Sequence, residues 1–449
     1  MKYYENLLYF GIIYLGLGDT MKLKKKFDKL LDKNILKVIA VFLLLTPILD
    51  LITSISINVL HITNYVTYLK ILFMFILVYY VLFISKKNKA CFYYIGVFIY
   101  LILFILDIVM FKPNNLLSYE LTNFLRTFYF PINLVSLYII YQDKKLNIDL
   151  KKLTYLFLAY IVLILIPWLT KTGFNSYAYS KEGSTGWFNS TNEIGGIVSI
   201  ILPIALYYLF KSIGFIKASI ISVIICVVLF SMGTKVPVLS LGLIIFLWIM
   251  RYLVKIIKEK KYKPLISLIC IFIIGIAGLI IVLPKTSFYK NIEIHLKFLK
   301  VDEVSDFASP RIIDKFIFSD RVSYYTKTKN NYLKSSIYEK VNGIGYSEYY
   351  FTEPKYIKMI EMDYFDIFFR HGVLGFIIFF MPYLYLLKKI YKRTKKLKKV
   401  DNELYTLYIS VFLVLVLSLM SGHIIVAPSV SLVVCMIYLT ILKKLEVIK

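Results

Sequence analysis

Apolar and polar stretches alternate along the chain so that about a dozen apolar runs stand out: 36–54, 65–84, 91–111, 120–141, 153–170, 192–210, 214–232, 236–256, 264–284, 363–388, 404–420 and 424–443. Each is close to the roughly 20 residues an α-helix needs to cross hydrocarbon, where every backbone polar group must be satisfied within the segment. The pattern predicts an all-α polytopic membrane protein of about 12 transmembrane helices. Two kinds of connection separate the runs. Lysine-rich stretches ("MKLKKKFDKLLDK", "SKKNK", "QDKKLNIDLKK", "RYLVKIIKEKKYK", "KKIYKRTKKLKK") alternate with "SISINVLHITN", "MGTK" and "SGH", which carry little charge. The excess of lysine and arginine in cytoplasmic loops places the first kind, and both termini, inside the cell. Two long polar segments, 171–191 and 285–362, then lie outside, the larger between helices 9 and 10.

The expected organisation is a basic cytoplasmic segment at 1–35, helices 1–9 over 36–284, the extracytoplasmic loop 285–362, helices 10–12 over 363–443, and a tail at 444–449. The opening stretch "LLYFGIIYLGLG" has neither a charged n-region nor a small-residue cleavage site, which argues against a signal peptide. Met21 stands as an alternative first residue, with 1–20 an extension. No internal repeat is evident.

Composition agrees with a membrane protein: 59% of residues are hydrophobic. The formal charge of +27 would suit nucleic acid, but the lysines come in bursts between apolar runs and form no single basic face. Nucleic-acid binding is therefore set aside. Cys91, Cys226, Cys270 and Cys435 fall in or beside apolar runs without CxxC spacing, as packing residues do.

Charges in lipid are costly, so those within the runs are informative. Asp50, Asp107, Arg126, Glu193 and Lys235 all map to the outer ends of their helices, as do Asp363, Asp366 and Arg370 in "YIKMIEMDYFDIFFRHGVLGF". Together they predict a polar cavity opening outward. Asp366 and Arg370 are four residues apart on one helix face and can neutralise each other. Glu361, just ahead of that helix, is the candidate general base.

Three further stretches carry candidate chemistry. "GSTGWFNSTNEIGGIVSIILPIALYY" (183–208) brings Asn189 and Asn192 to a helix whose Gly195, Gly196 and Ser199 permit close contact. "SDRVSYYTKTKNNYLKSSIYEKVNGIGYSEYYF" (319–351) contains Arg321, then Gly343 and Gly345, and "SMGTKVPVLSLG" puts Lys235 on an outward turn. Arg311 is a candidate second phosphate contact and His423, in "SGH", a candidate glycan contact. His371 reads as packing, and His61 and His295 have no supporting neighbours. Tyr324, Tyr325, Tyr346, Tyr349 and Tyr350 of the large loop are candidates for stacking on sugar rings.

The topology, the asparagine-rich entry to the sixth helix, an "S-x-R … G-x-G" stretch in the large loop and a "G-x-x-G" (Gly372 to Gly375) in the tenth helix resemble the O-antigen ligase and polymerase superfamily over most of the chain from about residue 36. The resemblance implies transfer, at the outer face of the bacterial plasma membrane, of a glycan carried on undecaprenyl pyrophosphate. It implies membrane lipid as a partner and, for a polymerase, a chain-length regulator. Arg321 matches the "S-x-R" arginine, and Lys235 stands where many relatives carry arginine on the seventh-to-eighth turn. Such cations would hold the pyrophosphate and stabilise the charge that develops on it. Relatives usually show "H-N" where this chain has Glu361 and Asp363. That departure leans towards a repeat-unit polymerase of a capsule, exopolysaccharide or teichuronic-type polymer and away from a ligase. No cofactor is implied, and no Asp-x-Asp pair on an external loop calls for a metal.

Two rivals are weaker. A multi-span transferase using a polyprenyl-phosphate sugar would carry an acidic pair on a long first external loop, but here that loop is about ten residues. A flippase would place its charges near the midplane and need no loop of nearly eighty residues.

Overall fold

The computed structural model describes residues 2–62, 65–86, 91–112, 116–146, 149–176, 181–260, 278, 280–301, 303–347 and 358–447. Nine described helices are long and apolar enough to cross a membrane: Leu23–Asn58, Val66–Ile84, Cys91–Met110, Leu117–Lys144, Leu150–Thr170, Thr191–Ser212, Lys235–Glu259, Asp363–Thr394 and Asn402–Met420. The run at 214–232 forms the 17-residue helix Phe215–Ser231, and that at 424–443 forms Pro428–Val447, which its neighbours enclose almost completely. Most of the expected ninth span, 264–284, lies outside the described residues, as do Cys270, Tyr349 and Tyr350. The protein is thus a polytopic α-helical membrane protein. Nine spans rest on described helices, and twelve is the expectation from sequence.

Local sequence accounts for several helix ends. Asp149 accepts the amide of Lys152 at 2.9 Å and Asp401 that of Leu404 at 2.7 Å, each satisfying a donor left free in a first turn. The helix Thr191–Ser212 is largely buried and packs against Leu150–Thr170, Lys235–Glu259 and Asn402–Met420. Its small residues allow this. A Cβ on Gly196 would come within 2.6 Å of Ile424 Cδ1.

At one end of the bundle the large polar segment is itself helical, with Ser287–Leu299, Arg321–Lys334 and Ile337–Asn342. The glycines of "G-x-G" pin it to the bundle. Gly343 and Gly345 have φ of 97° and 65°, and the facing helix Asp363–Thr394 is itself broken at Gly372, φ 60°. These are left-handed conformations that glycine tolerates and side chains resist. At this crossing the amides of Ile344 and Gly345 donate to the carbonyls of Phe369 and Arg370 at 3.0 and 3.1 Å, and Arg370 Nη1 donates back to Gly345 O at 2.9 Å. Lys112 and Glu120 form a fully buried pair at 2.6 Å. The Glu120 carboxylate also accepts the amides of Tyr346 and Ser347. His371 is buried with Tyr100 OH 3.1 Å from Nδ1 and Tyr346 OH 2.8 Å from Nε2.

Candidate functional site

Connections and the ends of several helices enclose a cavity of about 550 Å³ at the end of the bundle that carries the large polar segment. The loop 171–190 supplies Lys181 and Asn189 and leads into Asn192. It is fastened by the buried Asn291, whose Oδ1 accepts the amide of Glu182 at 2.6 Å and whose Nδ2 donates to Gly233 O at 2.9 Å. The same helix, Ser287–Leu299, brings His295 to the wall.

Lys235 is the first residue of Lys235–Glu259. Its ammonium donates to Phe316 O and lies 4.4 Å above the Phe316 ring. Arg321 opens the helix Arg321–Lys334. Asp314 fixes that turn by accepting the amides of Val322 and Ser323 at 2.9 and 3.0 Å. The Arg321 Nη2 donates to Glu361 Oε2 at 2.9 Å, with 12% of the arginine side chain and 34% of the glutamate exposed. Among the described residues Arg321 Nε is buried without a partner, as are Thr234 Oγ1, Ser240 Oγ, His295 Nδ1 and Ser421 Oγ on the same walls. Buried polar atoms in native proteins are nearly always paired, so this many in one cavity mark a place for a polar ligand or water.

The opposite wall is apolar. Leu239 and Leu243 from one helix face Leu413, Leu417 and Met420 from another. Leu239 is 65% and Met420 40% exposed on the outside of their helices. The cavity therefore joins a cationic, hydrogen-bonding half to a hydrocarbon-like half built by two candidate spans.

Glu361 does not line the cavity directly and reaches it through Arg321. Its φ of 62° is matched by 55° at His423, a cavity residue. The two turns pack on each other at Gly422, where a Cβ would meet Glu361 O at 2.3 Å. Left-handed backbone at two non-glycine residues is strain of the kind that clusters at functional sites.

Of the residues singled out from sequence, the cavity collects Lys235, Arg321, Asn189, Asn192 and His423. Arg311 is exposed in a short turn away from it. Asp363, Asp366 and Arg370 are buried and turned to backbone groups, not to the cavity. Asp363 accepts the amides of His423, Ile424 and Ile425 at 2.7, 2.9 and 2.9 Å, so it holds the turn that presents His423. Asp366 accepts those of Ile360, Glu361 and Met362 at 3.0, 2.8 and 3.3 Å, holding the Glu361 turn. Arg370 lies 3.8 Å from Asp366 and donates to the carbonyls of Gly345 and Lys358. These carboxylates replace water around backbone amides where two turns meet. Asp50 and Arg126 are paired too, Asp50 with Lys70 at 2.7 Å and Arg126 with Glu193 at 3.6 Å.

Sequence reasoning missed Lys181 and His295. Neither sits in a motif, and only the packing of the loop 171–190 on Ser287–Leu299 brings them together. Burial, then the neighbouring Lys181 and Lys235, push His295 down to about 4, so the imidazole is neutral at pH 7. Its folded value lies below its usual one, so the unfolded chain binds more protons as pH falls below about 6.5. Thermal unfolding in detergent is thus expected to show a stability loss between pH 6.5 and 4.5 that is smaller in His295→Gln.

No curated relative and no solved structure matches the chain. A family model described as O-antigen ligase like membrane protein matches it over residues 32–309 and 303–447. With nearly its whole length matched, the chain belongs to the O-antigen ligase-like family of membrane proteins and is of the glycan-transferring kind.

Proposed function

We propose that this protein polymerises oligosaccharide repeat units carried on undecaprenyl pyrophosphate, building a cell-surface polysaccharide at the outer face of the bacterial plasma membrane. The observation that carries this reading is the two-sided cavity, with Lys181, Lys235 and Arg321 on one wall and a lipid-side apolar wall opposite. A polyprenyl pyrophosphate has that same division. The prenyl chain lies against Leu239 and Met420, and the pyrophosphate meets the cations and the unpartnered Arg321 Nε.

The acceptor hydroxyl attacks the anomeric carbon, the bond from that carbon to the pyrophosphate oxygen breaks, and the electron pair leaves with the pyrophosphate. Preorganised cations stabilise that growing charge best in a partly dry site. The hydroxyl proton passes to Glu361, one of whose oxygens is already held by Arg321 at 2.9 Å. Arg321 thereby ties the base to the leaving group. Asn189, Asn192 and His423 supply hydrogen bonds to sugar hydroxyls, while Asp363, Asp366 and Arg370 position the turns that carry His423 and Glu361. The acidic residues at 361 and 363, in place of the "H-N" of ligases, favour polymerase over ligase.

The test is a deletion strain whose undecaprenyl-linked glycans are extracted and sized by mass spectrometry. Single repeat units accumulating on the lipid are the expected result. Full-length chains stranded on the lipid would instead make the protein a ligase, and an unchanged lipid pool would overturn glycan transfer from this donor.

A further inference from the structure

A second cavity, about 770 Å³, is at the opposite end of the bundle from the candidate site. The last turns of three helices, Leu117–Lys144, Asp363–Thr394 and Pro428–Val447, meet there beside the end of the second span. Lys86, Lys145, Lys389, Arg393 and Lys443 line it against a single carboxylate, Glu446. That carboxylate is already engaged: Arg393 Nη1 donates to its Oε1 at 2.8 Å, and Tyr141 OH donates to Oε2. Lys389 donates to Tyr138 OH and lies 4.8 Å from the centre of its ring, which holds the ammonium in place.

A preference for cations at cytoplasmic helix ends explains lysines here, because they suit the helix dipoles and the membrane potential. It does not explain why four lysines and an arginine face one hollow. Like charges around a shared space repel one another, and an anion in that space turns the repulsion into attraction. Buried Ile139 and Leu146 form an apolar side of the same hollow.

We propose that this cavity binds the phosphate-bearing headgroup of an anionic membrane lipid, a site separate from the glycan-transfer cavity. A phosphodiester accepts hydrogen bonds from several lysines at once, and a headgroup attached to acyl chains suits a basic hollow with an apolar side at the membrane boundary. Occupancy would hold together the ends of these three helices, two of which follow the Glu361 and His423 turns at their other ends.

The test uses full-length protein in detergent, titrated with phosphatidylglycerol or phosphatidylcholine and read by native mass spectrometry. The wild type is expected to retain phosphatidylglycerol selectively. The variant Lys86→Gln/Lys145→Gln/Lys443→Gln is expected to weaken that retention about a hundredfold, each lysine near an anionic lipid surface being worth about fivefold. Lys395→Gln/Lys396→Gln/Lys398→Gln, which removes three exposed lysines outside the cavity, is expected to retain it. The corresponding triple arginine variant keeps the charge and is expected to bind, which separates lost charge from lost folding. Equal loss in both glutamine triples would mean attraction to the surface at large and overturn the site. Displacement of lipid signal by millimolar inorganic phosphate, with phosphate bound in its place, would make the occupant a soluble anion and overturn the lipid assignment.

Discussion

Arg321→Ala is expected to lower glycan transfer about a thousandfold while the protein still reaches the membrane in normal amount. Removing one preorganised donor to a developing charge typically costs about a hundred- to a thousandfold. Here the upper end is expected, because the same guanidinium also orients Glu361 across a 2.9 Å contact. The fold should tolerate the change. Glu361 keeps 34% of its side chain exposed and can be solvated once its partner is gone, so no buried charge is orphaned. Arg321→Lys retains a point charge but not the fork that spans base and leaving group, and should fall between wild type and alanine. Glu361→Gln, by contrast, removes the proton acceptor and leaves the cation, so donor lipid should still bind while transfer stops. The readout is polymer length together with the pool of undecaprenyl-linked single repeats, normalised to membrane-inserted protein. Unchanged polymer in Arg321→Ala would remove this residue from the reaction.

Gly343→Ala should act differently, through folding. A Cβ at this position would sit 2.1 Å from Arg370 O and 2.5 Å from His371 Cα, and backbone atoms cannot rotate aside as a side-chain tip does. The φ of 97° adds strain of its own for any residue but glycine. Overpacking and a disallowed backbone each cost about 1–3 kcal/mol, so a loss of about 3 kcal/mol or more is expected. Moving the crossing would also pull Tyr346 and Ser347 away from Glu120, exposing one partner of a fully buried ion pair to an unsatisfied state. The measurement is thermal unfolding of purified protein in detergent, with proteolysis of the large polar segment as a second probe. A variant that melts with the wild type would show that the crossing relaxes freely. Gly242→Ala, where nothing lies within 4 Å of the added carbon, is the matched control.

Much of the architecture was legible in the chain because membranes impose one-dimensional rules. A helix of about 20 residues must be apolar and continuous, and lysines must collect at one end, so the runs at 36–54 or 404–420 announce themselves without knowledge of their neighbours. Lys235 was legible on an outward turn and Arg321 through its match to the family's "S-x-R" stretch, and both meet in the cavity. The G-x-G stretch was visible as a motif, but its purpose was not. It is a crossing of two backbones, Gly343 against Gly372, separated by 29 positions in the chain, and only packing reveals that there is no room for a Cβ.

The tertiary structure decided which charges face the ligand space. In sequence, Asp363, Asp366, Arg370 and Glu361 look alike, a cluster of ions at the head of one helix. In the fold, three are consumed by backbone groups of the turns at 360–362 and 423–425 and by the carbonyls of Gly345 and Lys358, while Glu361 alone turns to Arg321. Lys181 and His295 join the site for the converse reason. They lie more than a hundred positions apart, and Asn291, bridging Glu182 and Gly233, draws their segments together with Lys290, paired to Glu182 at 3.0 Å. Helical periodicity and lysine bursts are local signals written into neighbouring residues. Whether a carboxylate meets an amide, a guanidinium or an open cavity depends on which distant turn reaches it first.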